Sequence, residues 1–327
     1  MQLEKIILEI MCVFGNRTFG KIRKIALKQN RKWLAGRGEL YRFSKGKLTI
    51  NANKCDTVQK IVKGFYDYQY FNVCFLNNMF SFVLMSIAEN KIPYISIINE
   101  DGENIWEWFF EQPYSDFDIS DKKIEEYDKE YLEVFPDFSE VFSDLSIKMW
   151  GSLYQKFWKL NKTTKEYIDL EVKSIIGNRK VLGVLCRGTD YTECKPKGHP
   201  IQPDIDQVIL LAEQKMQELH CEYLYLATED GRIDKKFREV FHDKVLINQR
   251  EYYDDAFQEN QLQWIKDVHF ERENDNYHKG LEYISSLVIL SKCSALIGGN
   301  CGGSQTAVFL NNGTYEFCHI YDLGLYE

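Results

Sequence analysis

Short apolar runs alternate with amphipathic segments through the second half of the chain. The apolar runs are bounded by polar or small residues and predict strands at residues 181–186, 222–227, 244–248, 294–298 and 315–321. The segments between them predict helices at residues 204–219, 233–241, 280–292 and 304–310. Repeated alternation of strand and helix predicts an α/β fold with a parallel, doubly wound sheet.

The first half of the chain carries a weaker version of the same pattern. Residues 75–90 predict a mostly apolar helix and residues 92–98 a strand, which together form half of a parallel unit. Residues 146–175 predict one long packed helical stretch. Because 327 residues is long for one core, we expect two domains, an N-terminal α/β lobe at 1–165 and a Rossmann-like C-terminal lobe at 166–327.

Polar residues follow the predicted strands where each one ends. Arg187, Asp190, Glu193 and His199 come after the first strand of the second domain. The carboxyl ends of parallel strands are where open α/β sheets bind ligands, and the planar fork of an arginine can hold a diphosphate. The alternative is an arginine and aspartate pair that only braces the loop.

A turn rich in small residues, GGNCGGS at 298–304, offers a second ligand contact. Glycines let the backbone approach a ligand, and the helix that follows presents free amides and a positive dipole end to a phosphate. The turn lacks both the G-x-G-x-x-G spacing and the Walker lysine, so no dinucleotide fingerprint or P-loop is present. A plain tight turn is the alternative.

Three blocks of this half resemble the three peptide motifs of the fucosyltransferase superfamily that includes core and nodulation-factor fucosyltransferases. The blocks are VLCRGTDY with the later GHPIQP, then EYLYLATED, then residues 280–310. The positions that match the first motif are Arg187, Asp190, His199, Pro200 and Ile201.

The chain also departs from these motifs. Leu185 stands where the family has a histidine, and Gly188 stands where it has a second arginine. Ser286 takes the place of the acidic residue of the third motif, with Glu282 one turn earlier. A fainter similarity to the amino-terminal half of bacterial polysaccharide glycosyltransferases lies at residues 72–93 and 104–113.

The resemblance implies a GT-B glycosyltransferase of two facing lobes, with the acceptor on the first and the nucleotide sugar on the second. It implies the chemistry of sugar transfer, and we expect inverting, metal-independent transfer without a cofactor from a nucleoside-diphosphate sugar, GDP-fucose. The expected acceptor is a glycan or lipid-linked glycan of a surface polysaccharide such as a capsule. The alternatives are a transferase for another nucleotide sugar and a catalytically inactive glycan-binding or regulatory protein, which Leu185 and Gly188 make credible.

The implied roles rest on the chemistry of sugar transfer. Arg187 would stabilise the negative charge that develops on the leaving diphosphate, and Glu193 or Asp190 would take the proton of the acceptor hydroxyl. The donor-binding candidates are Arg187, His199, Thr228, Asp230, Glu282, Ser286, Gly302, Gly303, Ser304 and Gln305. No metal ligand is expected, because Asp204 and Asp206 stand at a helix start, where carboxylates usually cap.

Composition limits the classes of partner and the cellular compartment that we expect for this protein. The net charge of −8 disfavours a nucleic-acid partner. Nine cysteines without a C-x-x-C pair indicate buried thiols in a reducing compartment. With no signal peptide and no run of about 18 apolar residues, a cytoplasmic protein is expected. Residues 17–37 form a basic amphipathic segment, which either lies on an anionic membrane surface or packs on its own domain.

Two further segments each leave two interpretations open. The aromatic residues Trp106, Trp108, Phe109 and Phe110 either floor a sugar site or form a plug in the core. Residues 250–279 are long for a connection inside a compact domain. They form either a mobile lid over the bound donor or a fixed surface excursion with its own small core.

Overall fold

The computed structural model describes residues 32–63, 69–127, 142–260, 262 and 264–327. The chain divides into two compact units, Met1–Thr164 and Lys165–Glu327. Each unit contains a parallel sheet with helices, so the α/β fold class predicted from the sequence is confirmed. Most of the basic segment at 17–37 lies outside the described residues.

The first unit is built on a small parallel sheet with the strand order β2-β1-β3. Its elements in chain order are α1 (Lys32–Ser44), β1 (Thr57–Ile61), α2 (Val73–Ala88), β2 (Ile92–Ile95), β3 (Lys123–Glu126) and α3 (Asp144–Phe157). Helix α2 begins where the Asn72 side chain accepts a hydrogen bond from the Phe75 amide at 2.8 Å. It is followed by Asn90 at φ 58°, a left-handed conformation that asparagine tolerates.

The aromatic residues of the first unit form its core. Trp106 and Phe110 stack with their ring centroids 4.7 Å apart, and both are buried together with Phe109. The Trp106 ring nitrogen donates to the Glu111 carbonyl at 2.9 Å, which satisfies its one polar atom. The core interpretation is therefore confirmed for these three residues, while Trp108 is half-buried.

The single helical stretch predicted at 146–175 is wrong, because it is two helices. Helix α3 ends at Phe157 and α4 (Lys162–Ile175) begins after four intervening residues. Between them, the Lys159 carbonyl accepts from the Glu111 amide at 2.8 Å and the Asn161 amide donates to the Phe109 carbonyl at 2.9 Å. This tertiary pairing takes up backbone groups that a continuous helix would need. Asn161 then caps α4 through the Thr164 amide.

The second unit carries a parallel sheet, as the sequence predicted, and its strand order is β6-β5-β4-β7-β8. After α4 its elements are β4 (Val181–Leu185), α5 (Ile205–Glu218), β5 (Tyr223–Ala227), α6 (Gly231–Phe241), β6 (Val245–Leu246), α7 (Asp254–Glu259), α8 (Asp275–Lys292), β7 (Ala295–Gly299), α9 (Gly302–Asn311) and β8 (Phe317–Tyr321). The direction of strand order reverses between β4 and β7.

Helices cover both faces of this sheet. On one face, Leu182 and Val184 of β4 share a buried cluster with Val208 of α5 and Phe237 of α6. On the other face, Gly183 leaves room for α8, since a Cβ there would lie 3.1 Å from the Cys293 side chain. In the described part of the chain no helix is both long enough and apolar enough to cross a bilayer. The eight described cysteines are free, five of them buried.

Two residues of α6 that differ in burial test which face of this helix packs against the sheet. Phe237 is fully buried, so we expect Phe237→Ala to lower the free energy of unfolding by about 3–5 kcal/mol through lost packing and a cavity. Val240 lies on the same helix at 42% exposure, and Val240→Ala should cost about 0.5 kcal/mol or less. Urea unfolding of the two variants measures both values, and equal losses would contradict this assignment of faces.

Candidate functional site

The reversal of strand order places a crevice at the carboxyl ends of β4 and β7. In open α/β sheets this switch point is where ligands bind. Three turns leave the sheet at this edge, and they begin at Cys186 after β4, at Thr228 after β5 and at Asn300 after β7. The parallel register that pairs Leu185 with Ala227 and with Gly298 brings the three turns together.

Arg187 lies in the first turn and is held by two carboxylates. Its Nη2 donates to Asp190 Oδ1 at 2.7 Å, and its Nε lies 3.3 Å from Glu229 Oε1. The guanidinium carbon lies 4.6 Å from the centre of the Tyr191 ring. Burial by itself lowers the pKa of Arg187, but Glu229, Asp190, Tyr191 and the Cys301 thiol raise it well above its usual value. Arg187 is therefore a fixed, permanent cation.

Thr189 holds a strained backbone conformation in the same turn. It is fully buried at φ 39°, which is rare for a β-branched residue. Glu229 Oε1 accepts from the Gly188 amide at 2.9 Å and from the Thr189 hydroxyl at 3.1 Å, and Asp230 Oδ2 accepts from the Thr189 amide at 3.4 Å. Strain of this kind persists where neighbouring groups over-determine it, and it clusters at functional sites.

Glu229 was not among the residues chosen from the sequence. It is buried beside Asp230 and connects the turn after β4 to the end of β5 through its contacts with Arg187, Gly188 and Thr189. The signal available was its place directly after the apolar run YLYLA, where a carboxylate joins the sheet edge.

Gly188 stands where the fucosyltransferase motif has a second arginine, and Asp230 fills the space that a side chain would need here. A Cβ at this position would lie 2.3 Å from Asp230 Oδ2, so no side chain fits unless Asp230 moves. A second cation instead reaches Asp230 from α6, where the Arg232 guanidinium donates to both Asp230 and Glu193 Oε1, the latter at 2.7 Å. Arg232 was also missed from the sequence, although it follows the helix-capping Asp230 by two residues.

The network at this edge is net negative. Two guanidinium groups, those of Arg187 and Arg232, lie within 4 Å of five carboxylates, which belong to Asp190, Glu193, Glu229, Asp230 and Asp254. The arginines are therefore balanced by acidic side chains before any ligand is bound. An anion bound here needs further donors besides these two side chains.

The amino terminus of α9 provides such donors. The N-cap residue Cys301 makes no side-chain hydrogen bond to the helix amides, so the first turn presents uncapped N–H groups. The pairing of Leu185 with Gly298 and the packing of Gly303 on Leu185 bring the start of α9 to the same sheet edge as the Arg187 turn. The Gln305 side-chain nitrogen is buried and has no hydrogen-bond partner among the described residues.

Two residues of the small-residue turn serve packing. A Cβ on Gly303 would lie 2.9 Å from Leu185 Cδ1, so the leucine that replaces the family histidine packs directly under α9. The Ser304 hydroxyl donates to the Gly299 carbonyl at 2.6 Å and is fully buried. The backbone amides of Gly302, Gly303 and Ser304 are what this turn offers to a ligand.

The remaining candidates fall into two groups according to the residues that they contact. Thr228 accepts from the Asp230 amide at 3.2 Å and so shapes the start of α6. His199 packs its ring against Tyr191, with centroids 5.5 Å apart, and so belongs to the Arg187 turn. Ser286 donates within α8 to the Tyr283 carbonyl at 2.7 Å, and Glu282 pairs with Arg272, so these two have their partners in α8 and the excursion. Their donor-binding roles stay predictions.

The excursion at 250–279 has a small core made of Tyr253, Phe257 and Val268. It also contacts the catalytic candidates, since the Ile265 amide donates to Asp190 Oδ2 and the Gln258 side chain donates to Glu193 Oε1, both at 3.4 Å. A small core is what the fixed-excursion interpretation predicts. Closure over a bound donor stays a prediction.

Comparison with known proteins gives structural similarity only. No family model matches the chain, and no curated protein matches it by sequence. Among solved structures it is similar to the NodZ alpha-1,6-fucosyltransferase soaked with GDP-fucose, at 12% identity over 79% of this chain and 93% of that chain, with a TM-score of 0.47. NodZ from Bradyrhizobium aligns at 13% identity over the same shares, with a TM-score of 0.45. POFUT1 in complex with GDP-fucose aligns at 9% identity over 86% of this chain and 78% of that chain, with a TM-score of 0.39.

The Arg232 contacts predict how stability depends on pH. Burial raises the pKa of Asp230, but the hydrogen bonds and charge of Arg232 outweigh it and hold that pKa below its usual 3.8. A carboxyl with a lowered folded-state pKa stabilises the protein above pH 3.8, and this contribution disappears as the pH falls through the folded-state value. Since Arg232 is half exposed, Arg232→Met should cost about 1–2 kcal/mol at pH 7.

This loss should shrink below about pH 4, as Asp230 becomes protonated. Lys236→Met on the same helix removes only the exposed pair with Asp206 and serves as the control, with an expected loss under about 1 kcal/mol. Urea unfolding from pH 3.5 to 7 measures both variants. A loss for Arg232→Met that does not change with pH would contradict the assigned role.

Proposed function

We propose that this chain is an inverting, metal-independent glycosyltransferase that uses a nucleoside-diphosphate sugar, GDP-fucose, to extend a surface-polysaccharide glycan. One observation carries the proposal. A permanently charged arginine in a strained, buried turn lies beside the uncapped start of a helix, at the switch point of a parallel sheet. A cation and free amides at one point form a cradle suited to a diphosphate.

The reaction explains why such a cradle is useful. Breaking the bond from the anomeric carbon to the diphosphate leaves negative charge on the phosphate oxygens and positive charge on the sugar. Donors that are fixed before the reaction stabilise the leaving group more in the transition state than in the bound donor. In this proposal Arg187 and the first amides of α9 contact the diphosphate, and the Glu229 and Asp190 contacts keep Arg187 in position.

Exposure separates the two candidate bases. Asp190 is almost fully buried and is occupied by Arg187 and by the Ile265 amide, which fits a residue that positions Arg187. The Glu193 side chain is 35% exposed, and Arg232 holds one of its oxygens. Its other oxygen can accept the proton of an acceptor hydroxyl, so we assign the general base to Glu193.

The donor and the acceptor follow from the sequence motifs. The matches at Arg187, Asp190 and His199 support GDP-fucose, and the similarity in the first half to polysaccharide glycosyltransferases supports a glycan or lipid-linked glycan acceptor. We place the reaction in the cytoplasm, at the inner face of the membrane. The free thiols, several of them buried, agree with a reducing compartment.

The net-negative network favours a second candidate, a catalytically inactive glycan-binding or regulatory protein. Five carboxylates around two arginines leave no excess positive charge to receive a diphosphate. The two functions are separated by measuring GDP binding and GDP release from GDP-fucose, with a glycan acceptor, on one preparation. Binding without release would support the second candidate, and release would support the first.

Arg187 is the residue on which turnover should depend most. We expect Arg187→Ala to lower kcat/KM at least ~30-fold, which corresponds to about 2 kcal/mol of lost transition-state stabilisation. Arg187→Lys keeps a charge opposite Asp190 and Glu229, so it should fold, yet it should stay well below wild type because it lacks the fork. Arg238→Ala, which removes a partly buried pair with Asp234 on α6, is the control and should leave turnover within about twofold. Near-normal turnover of Arg187→Ala would exclude this site.

Turnover should also persist when divalent cations are removed. In the proposal Arg187 and the first amides of α9 contact the leaving diphosphate, the place that a metal ion takes in metal-dependent transfer. We expect the rate of GDP release in excess EDTA to match the rate in added magnesium or manganese. Loss of release in EDTA, with recovery on adding manganese, would contradict the metal-independent mechanism.

A further inference from the structure

A cavity of about 270 Å³ opens at the outer edge of the sheet in the first unit. It lies along the first residues of the edge strand β2 and under the loop that follows the aromatic core. Its eight lining residues are Ile92, Pro93, Tyr94, Gln112, Tyr114, Ser115, Phe117 and Ile119. Ligand pockets usually measure about 300–1,000 Å³, so this one has room for a single small ring.

The lining is mainly aromatic and aliphatic. Tyr94, Tyr114 and Phe117 present three rings, and the centroids of the Tyr114 and Phe117 rings lie 6.0 Å apart with 55° between their planes. Rings arranged at an angle offer flat apolar faces on more than one side of a bound group. The C–H face of a pyranose is a flat apolar surface of matching shape.

Two oriented carboxylates lie one hydrogen bond from this lining. Glu107 Oε1 accepts from the Gln112 side-chain nitrogen at 2.7 Å, and burial, helped by the negative charge of Glu107, raises the pKa of the Tyr94 hydroxyl. Glu111 Oε2 accepts from the Ser115 hydroxyl at 3.2 Å. Each carboxylate retains free acceptor capacity for hydroxyl donors from a ligand.

The loop over the cavity is held in place by the sheet edge. The Gln112 side chain pairs with the backbone of Ile95 on β2, accepting from its amide at 2.9 Å and donating to its carbonyl at 2.8 Å. One amide side chain thus completes the hydrogen bonding of the edge strand and fixes Gln112 at the cavity wall. A site fixed before binding loses less entropy when it binds a ligand.

We propose that this cavity binds one neutral pyranose residue of a glycan. The lining contains no lysine or arginine, and the carboxylates of Glu107 and Glu111 disfavour a uronic acid or a sugar phosphate. Glu107 and Glu111 can accept further hydrogen bonds from sugar hydroxyls, which an aliphatic ligand does not offer. The assignment of a sugar site is independent of the donor site, and only its use in holding an acceptor glycan rests on the proposed function.

Saturation-transfer NMR on the full chain tests the proposal directly. The probes are the methyl glycosides of glucose, galactose, mannose and N-acetylglucosamine, with methyl glucuronide and cyclohexanol for comparison. We expect at least one neutral glycoside to receive saturation at its ring C–H protons, with methyl glucuronide binding at least about tenfold more weakly. Binding of cyclohexanol without any glycoside, or no binding at all, would overturn the proposal.

A blocking variant separates this cavity from the rest of the surface. Ser115 is exposed at the cavity wall, so Ser115→Trp should fill the space, preserve the fold and lower glycoside affinity at least about tenfold. Ser120→Trp adds the same side chain at an exposed serine outside the lining and should leave affinity unchanged. Equal affinity in the two variants would overturn the site.

A conservative variant tests the polar side of the cavity. Tyr94→Phe keeps the ring but removes a hydroxyl from the cavity lining, and should weaken glycoside binding several-fold. Unchanged binding would overturn a polar role for Tyr94 in the cavity. GDP binding by the same preparations reports on the donor site, so failure of the sugar cavity and failure of the proposed transferase are read separately.

Discussion

The second unit depends on two carboxylates at the end of one strand. Glu229 and Asp230 follow β5 and accept hydrogen bonds from the turn that follows β4, at Gly188 and Thr189. The parallel pairing of Leu185 with Ala227 brings the two strand ends side by side. The strained conformation of Thr189 and the position of Arg187 are both consequences of this pairing. Without these acceptors, two buried amides and a hydroxyl would lose their partners.

The same arrangement accounts for the departures from the family motif. Asp230 occupies the space above Gly188, so the charge that a second arginine would bring arrives from α6 through Arg232. Leu185 packs against Gly303 and fixes the distance between β4 and the start of α9. Arg187 consequently has acidic surroundings, because the groups that hold its turn are carboxylates. Backbone amides of α9 therefore carry part of the anion binding in the proposed mechanism.

In the first unit the constraint is different, because the edge of a small sheet exposes backbone groups that need hydrogen-bond partners. Pro93 on the edge strand β2 has no amide to leave unpaired, and Gln112 pairs with both backbone groups of Ile95. The aromatic residues Trp106 and Phe110 stack in the core, while Tyr94, Tyr114 and Phe117 line the cavity.

The alternating strands and helices of the second unit could be predicted from the sequence, because apolar periodicity is a local property of a strand or a helix. The parallel sheet and the polar residues at its carboxyl edge followed from that order. Arg187, Asp190 and Glu193 were found in this way, since each lies within a few residues of a strand end. The short strands β1 and β3 of the first unit and helix α7 were not predicted. The break between α3 and α4 was missed, because it arises from pairing with residues far away in the chain.

Tertiary structure alone decided which side chains meet at this edge. Glu229 reaches Gly188 across 41 positions of sequence, and only the register of β4 against β5 determines that contact. The same holds for Arg232 with Glu193, for Leu185 under Gly303 and for the choice of aromatic residues that line a cavity. Local patterns determine which way a side chain faces relative to its own strand or helix, whereas its partner depends on how separate elements pack. The sequence therefore predicted at which edge of the sheet the site lies, and the packing of separate elements decided which side chains contact each other there.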